Sequence, residues 1–124
     1  MILDSDIIID FLKNDKKTVN KISELKEKEE LKTTTINIFE LLKGFYALNK
    51  KEEKIIEFIE HLSILDFDFE SSKKSAEIFD SLKKKGETVD ALDLFISSIA
   101  ITNKEKLYTG NTKHFKNIPG LEIL

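Results

Sequence analysis

Cysteine, arginine and tryptophan are all absent, and there is one proline. Without cysteine there is no disulfide-stapled secreted module and no thiolate zinc or iron–sulfur site. Two histidines, His61 and His114, are too few for a His-rich transition-metal site. No apolar run exceeds a few residues, so no segment reads as a membrane span. Met1-Ile2-Leu3-Asp4 carries no basic region and no long apolar stretch, and so does not read as a signal peptide. A reducing cytoplasm is the expected setting, with no membrane partner. The missing arginine removes the usual bidentate reader of phosphates and bases. The 20 basic residues are all lysine, and against 23 acids they leave a net charge of −3. Global charge therefore does not draw this chain to a polyanion. If its substrate is one, positive charge must be supplied locally, and a divalent cation is the obvious source.

What is present suits a folded domain. Hydrophobic residues make up 40% and charged residues 35%. The 124 residues suffice for a single core and read as one domain spanning 1–124. Met1–Leu3 reads as a short buried strand, with a strand-to-helix transition at Asp4–Asp6; the β-branched run Ile7–Ile9 is also compatible with a longer strand. Lys16–Glu30 has Val19, Ile22 and Leu25 spaced by three, an amphipathic helix. Leu31–Thr35 reads as a strand. Ile36–Leu48 and Lys51–Leu62 read as helices with wide apolar faces. Ser63–Phe67 is a third strand. Glu70–Lys85 is a helix with Ala76, Ile78, Phe79 and Leu82 inward, stopped by Gly86. Asp90–Thr102 is apolar nearly all round, a buried helix. Lys106–Thr109 is a fourth strand, Lys113–Asn117 a helical turn, and Leu121–Leu124 a last short strand. The alternation predicts a three-layer α/β domain around a mostly parallel sheet of four to five strands, flanked by helices.

Three acids fall where an acid is locally expensive. Asp4 follows the first strand directly. Glu40 interrupts the apolar run Ile38-Phe39-Glu40-Leu41-Leu42. Asp93 interrupts Ala91-Leu92-Asp93-Leu94-Phe95-Ile96. A buried carboxylate needs a partner, a metal or an open cleft. In an open parallel sheet, ligands bind at the carboxyl ends of strands, where strand order reverses. If the first and fourth strands are neighbours, Asp4, Glu40, Asp93 and Asn111 converge there. Oxygen-only ligands that repel one another point to Mg²⁺ or Mn²⁺ rather than zinc. A structural use is also open to them: Asp4 or Asp6 as a helix cap, Asp93 as the cap of the buried helix, Glu40 at a solvent edge.

The blocks Leu3-Asp4-Ser5-Asp6-Ile7-Ile8-Ile9-Asp10, Thr35-Ile36-Asn37-Ile38-Phe39-Glu40-Leu41-Leu42-Lys43-Gly44, Asp93-Leu94-Phe95-Ile96-Ser97-Ser98-Ile99-Ala100 and Leu107-Tyr108-Thr109-Gly110-Asn111-Thr112-Lys113-His114-Phe115, followed by Ile118-Pro119-Gly120-Leu121, resemble a PIN domain. The closest likeness is to the VapC-type toxins of bacterial and archaeal toxin–antitoxin pairs. Each block is weak alone; their order and spacing together cover essentially the whole chain. The resemblance implies a Mg²⁺/Mn²⁺-dependent endoribonuclease with Asp4, Glu40 and Asp93 as its first three acids. Asn111 falls where many relatives carry a fourth acid, which removes one charge. The resemblance makes Asp4 and Asp93 direct metal ligands, with Asn111 assisting and Glu40 acting through water. Asp6 and Thr109 are accessory. It further implies a homodimer, a structured RNA substrate such as tRNA, and a cognate VapB-type antitoxin, with DNA reached only through that antitoxin.

Other polar residues have plainer expected roles. Asp10 reads as a surface or supporting residue, Asp90 as a helix cap and His114 as packing. Lys43, Lys113 and Lys116 are candidates for RNA phosphates, and Phe45, Tyr46 and Phe58 for dimer or antitoxin contact. A catalytically inactive PIN domain that only binds a partner is one competing reading. A HAD-like phosphatase is another, from Asp4-Ser5-Asp6, but the later motifs of that family are missing. A receiver domain with Asp66 as phosphate acceptor leaves Glu40 and Asp93 unexplained.

Overall fold

A computed structural model describes residues 1–124. The elements run β1 (Ile2–Leu3), α1 (Ser5–Leu12), α2 (Lys16–Lys28), β2 (Lys32–Thr34), α3 (Thr35–Ala47), α4 (Glu53–Ile59), β3 (Ser63–Leu65), α5 (Phe69–Lys84), α6 (Ala91–Thr102), β4 (Leu107–Tyr108) and α7 (Thr112–Phe115). The four strands form one parallel sheet in the order β3-β2-β1-β4. Ile2 pairs with Lys32 on one side and with Leu107 on the other. Strand order therefore reverses between β1 and β4, which puts a cleft at their carboxyl ends. The expected final strand over 121–124 contracts to a single parallel bridge from Ile123 to Leu107.

Neighbouring strand residues point to opposite faces, and that alternation splits the core in two. Met1 and Leu3 join Ile7, Ile8, Ile22, Leu25, Leu41, Ile55 and Ile59 beneath α1–α4. Ile2 and Leu107 join Ile78, Leu82, Leu94, Ile96, Ile99 and Phe115 beneath α5–α7. With both faces covered, the strands can be short and apolar.

Capping sets the strand-to-helix transitions. Asp4 has extended backbone (φ −72°, ψ 161°) and its carboxylate accepts from the Ser5 N–H. That cap turns Ile7–Ile9 into helix rather than more strand, and Ile7 and Ile8 then sink into the core. Thr34, Asp68 and Asp90 cap α3, α5 and α6 by accepting from N–H groups two or three residues on.

Two expectations need correction. The inward face of α5 is Ser71, Ser75, Ile78 and Leu82, while Ala76 and Phe79 are exposed. The reason lies on α6: the Ser75 hydroxyl donates to Ser98 Oγ at 2.7 Å, and Ser71 and Thr102 hydroxyls lie 3.3 Å apart. Small hydroxyl residues let the two helices approach closely with their polar atoms paired. His114 is not packed: its side chain is 64% exposed.

Candidate metal-dependent active site

Asp4 sits at the carboxyl end of β1 and is 4% exposed. One carboxylate oxygen accepts from the Ser5 N–H at 2.8 Å and from the Asn37 carboxamide at 2.9 Å. The other accepts from the Thr109 hydroxyl at 2.6 Å. These partners come from three different elements, so Asp4 is held rigidly. Thr109 follows β4, next to β1, as the strand order requires. Its hydroxyl oxygen also accepts the Asn111 N–H at 3.0 Å.

A network extends from Asp4 to Glu40. The Asn37 carboxamide also donates to the Ser5 hydroxyl at 3.0 Å, and that hydroxyl donates to Glu40 at 2.9 Å. Asn37 is completely buried, one turn into α3 and one turn before Glu40. The Thr34 hydroxyl accepts the Asn37 N–H at 3.1 Å and donates to its side-chain oxygen at 2.7 Å. Every hydrogen-bonding group of this Asn is thereby engaged at its side chain, which fixes its orientation.

Asp93 enters from α6, in the first turn after the Asp90 cap. His114 Nδ1 lies 3.5 Å from its carboxylate. Asp6 accepts from the Ile7 N–H at 2.8 Å and the Gly110 N–H at 2.9 Å. A Cβ on Gly110 would lie 2.7 Å from the Asp6 carboxylate oxygen, so any larger residue there would make that carboxylate shift.

The carboxyls of Glu40, Asp93 and Asp6 are all pushed above their ordinary values, in each case first by burial. The Asp4 charge adds to the rise in all three. Asp90 also raises Glu40 and Asp93, while the Ser5 hydroxyl opposes the rise at Glu40 and His114 opposes it at Asp93. Acids from three segments thus share one electrostatic neighbourhood. They do not meet as a ready ligand shell: no three His, Asp or Glu side chains stand close enough to hold an ion together. Asn111 precedes α7 without capping it, and stays exposed.

The family is settled by sequence. A family model described as PIN domain matches residues 1–121. The chain belongs to the PIN-domain family. Ribonuclease VapC3 of Methanocaldococcus jannaschii is 37% identical over 98 residues, covering 79% of this chain and 95% of that protein. Ribonuclease VapC1 of the same organism is 30% identical over 128 residues, 99% of this chain and 85% of that protein. The solved structure of VapBC2 from Rickettsia felis, bound to a DNA fragment from their promoter, superposes with a TM-score of 0.91. It is 29% identical, covering 99% of this chain and 96% of that one.

In this PIN domain Asp4, Glu40, Asp93, Asp6 and Thr109 gather around the β1–β4 cleft. Asp10 is exposed and lies near enough to add a small upward push on Asp6. Asp66 follows edge strand β3, with β2 between it and β1, and joins nothing. Two residues escaped the sequence reading. Ser5 and Asn37 link Asp4 to Glu40. The available signal was Asn37 itself, a carboxamide one turn from Glu40 on an otherwise apolar helix.

Proposed function

We propose that this PIN domain is a VapC-type endoribonuclease toxin that hydrolyses RNA phosphodiesters with Mg²⁺ or Mn²⁺. Its substrate is a structured RNA such as tRNA, its setting the cytoplasm, and its inhibitor a cognate VapB-type antitoxin. The observation that carries the reading is the hydrogen-bonded line Asp4–Asn37–Ser5–Glu40, facing Asp93 at the strand-order reversal. The relatives named ribonuclease VapC supply the reaction.

The donor set fits a hard divalent cation. It is all oxygen, and its carboxylates repel one another within a partly desolvated cleft. Asp4 and Asp93 would hold the ion directly, with Asn111 in support. A divalent cation held there would neutralise charge on the phosphodiester and make a water bound to it more acidic. Glu40 orients the attacking water and accepts its proton; its raised basicity suits that role. The Ser5 hydroxyl aims the Glu40 carboxylate, and Asn37 and Thr109 keep Asp4 in place. In-line attack leaves a 5′-phosphate and a 3′-hydroxyl.

Protein partners suit a different stripe of α3. Phe39 and Tyr46 are 53% and 58% exposed, one above the other at helical spacing. This supports a contact with a second copy or with an antitoxin, whereas Phe45 and Phe58 pack against the core.

The test is cleavage of a total tRNA pool by antitoxin-free protein, with Mg²⁺ or Mn²⁺ and with EDTA, alongside Asp93→Asn. Cleavage that needs the cation and disappears in the variant supports the reading. Cleavage that survives both EDTA and the substitution refutes it.

A further inference from the structure

A groove of about 420 Å³ opens beside Glu40 and runs between α1 and α3 to the turn before α4. Its floor is apolar, with Leu41, Phe45 and Leu48 from α3 and its cap. Its rim is basic: Lys13 ends α1, Lys50 and Lys51 occupy the turn, and Lys54 begins α4. Asn49, in the left-handed region at φ 53°, turns the chain back so that Lys50 and Lys51 reach this rim. Glu40 is the only acid among the lining residues.

Fifteen of the 20 lysines form no ion pair, and these four are the ones that line this groove. Lys21, Lys28, Lys32, Lys74 and Lys84 each pair with a carboxylate. Lys13, Lys50, Lys51 and Lys54 are all exposed, and none forms an ion pair. Lys50 Nζ instead lies 5.9 Å from the centre of the Phe45 ring. A chain of net charge −3 thus concentrates four unpaired cations around one concavity that leads to its candidate site.

We propose that this groove is the track for the single-stranded RNA backbone on one side of the scissile phosphate. Lys13, Lys50, Lys51 and Lys54 contact phosphates, and Phe45 with Leu48 receives an unstacked base. The proposal rests on the ribonuclease reading above. From Ser5 at the site to Lys13, α1 runs about 12 Å at 1.5 Å per residue, room for a few nucleotides. An apolar shelf with an aromatic ring between cations matches the base-and-phosphate repeat of a single strand. An acidic peptide would meet the same lysines and could set an apolar side chain on the shelf, but it brings no scissile phosphate to the Glu40 end of the groove. Lys43, Lys113 and Lys116 are not among the residues that line it.

The test compares two quadruple variants of the full chain that change net charge equally. One is Lys13/Lys50/Lys51/Lys54→Ala. The other is Lys73/Lys83/Lys85/Lys106→Ala, on α5, the turn after it and the far end of β4. The binding probe is a fluorescein-labelled single-stranded RNA of about 12 nucleotides, within the span that single-strand grooves cover. It is measured with Mg²⁺ in an Asp93→Asn background that does not cleave. The groove variant should lose at least about tenfold in affinity, and its dependence of log K on log salt should flatten by roughly 3, about 0.7 per lost contact. The control should stay within about twofold. With Asp93 intact, the groove variant should raise KM for the tRNA pool about tenfold and leave kcat within about twofold, since the lysines hold substrate without touching the reacting atoms.

Equal losses in both variants overturn the track, because global charge would then explain them. Unchanged RNA affinity and KM in the groove variant overturn it while leaving the nuclease reading intact. Unchanged RNA affinity combined with lost binding of a labelled oligoglutamate peptide would instead give the groove to an acidic protein segment. No RNA binding and no cation-dependent cleavage by the parent protein would sink the ribonuclease reading and the track with it.

Discussion

On one face of the sheet α5 and α6 meet through paired hydroxyls. On the other, α1, α3 and α4 meet through apolar side chains and leave open grooves. In the first layer Ser75 bonds to Ser98, and Ser97, Ser98 and Thr102 bond back to their own helix. In the second, a groove of about 420 Å³ reaches Glu40. The difference separates two tasks. The close-packed layer fixes Asp93. The open layer carries Glu40 and leaves room for something to approach it. Asp4, between them on β1, is bonded to Asn37 on the open side and to Thr109 on β4's end.

The widest gap between the layers should appear in stability. Ile99 is fully buried within the close-packed half, while Leu48 is 65% exposed in the open half. Ile99→Ala should cost about 2–5 kcal/mol, a large share of a domain's stability. Leu48→Ala should stay within about 0.5 kcal/mol. Urea unfolding midpoints measure both. Similar costs would mean that Ile99 is not close-packed or that Leu48 is not open to solvent.

Next in size is the link across the site. Asn37→Ala removes donors to Asp4 and Ser5 at once. Cation-dependent RNA cleavage should fall about 10- to 100-fold, the range for residues that orient a metal-site ligand. Cleavage unchanged in a folded variant would show that Asp4 needs no such support. Smaller still is Ser75→Ala, which should cost about 1 kcal/mol, because Ser98 keeps its own bond to the Leu94 carbonyl.

This contrast also explains what the sequence could reveal. Strand and helix alternation was legible because caps and apolar spacing are local. The strand after Pro119 was not: its residues have strand character but only one bridge to make, Ile123 to Leu107. The three acids stood out because each breaks an apolar run. Asn37 and Ser5 did not, since their significance depends on each other and they lie 32 residues apart. Hydropathy placed Phe79 inward on α5 because the hydroxyl partners that draw Ser71 and Ser75 inward belong to another helix. His114 reads as packing from its sequence neighbours, yet it lies 3.5 Å from Asp93, a pairing set by where α7 starts.

The smallest expected effect concerns the charge that the site holds against its own interest. Glu40 and Asp93 have carboxyls raised by burial and by neighbouring acids. A carboxyl raised in the folded state binds its proton more tightly there than in the unfolded chain. Stability therefore falls as pH climbs through the ordinary carboxylate range and on to the raised value, and stays reduced above it. Removing either charge should recover part of that loss in cation-free protein. Asp93→Asn and Glu40→Gln should each raise the melting temperature in EDTA at neutral pH, by no more than about 1 kcal/mol in stability, because solvent reaching these half-buried groups screens the repulsion. The gain should vanish at a pH below the ordinary carboxylate range, where the parent protein is protonated at both sites. Adding Mg²⁺ should stabilise the parent more than either variant, since the variants have already lost the repulsion that the ion relieves. Both substitutions should abolish cleavage while stabilising the fold. A loss of stability at neutral pH in EDTA would instead mean that the carboxylates are held by favourable contacts, and that their crowding is not what readies the cleft for a cation.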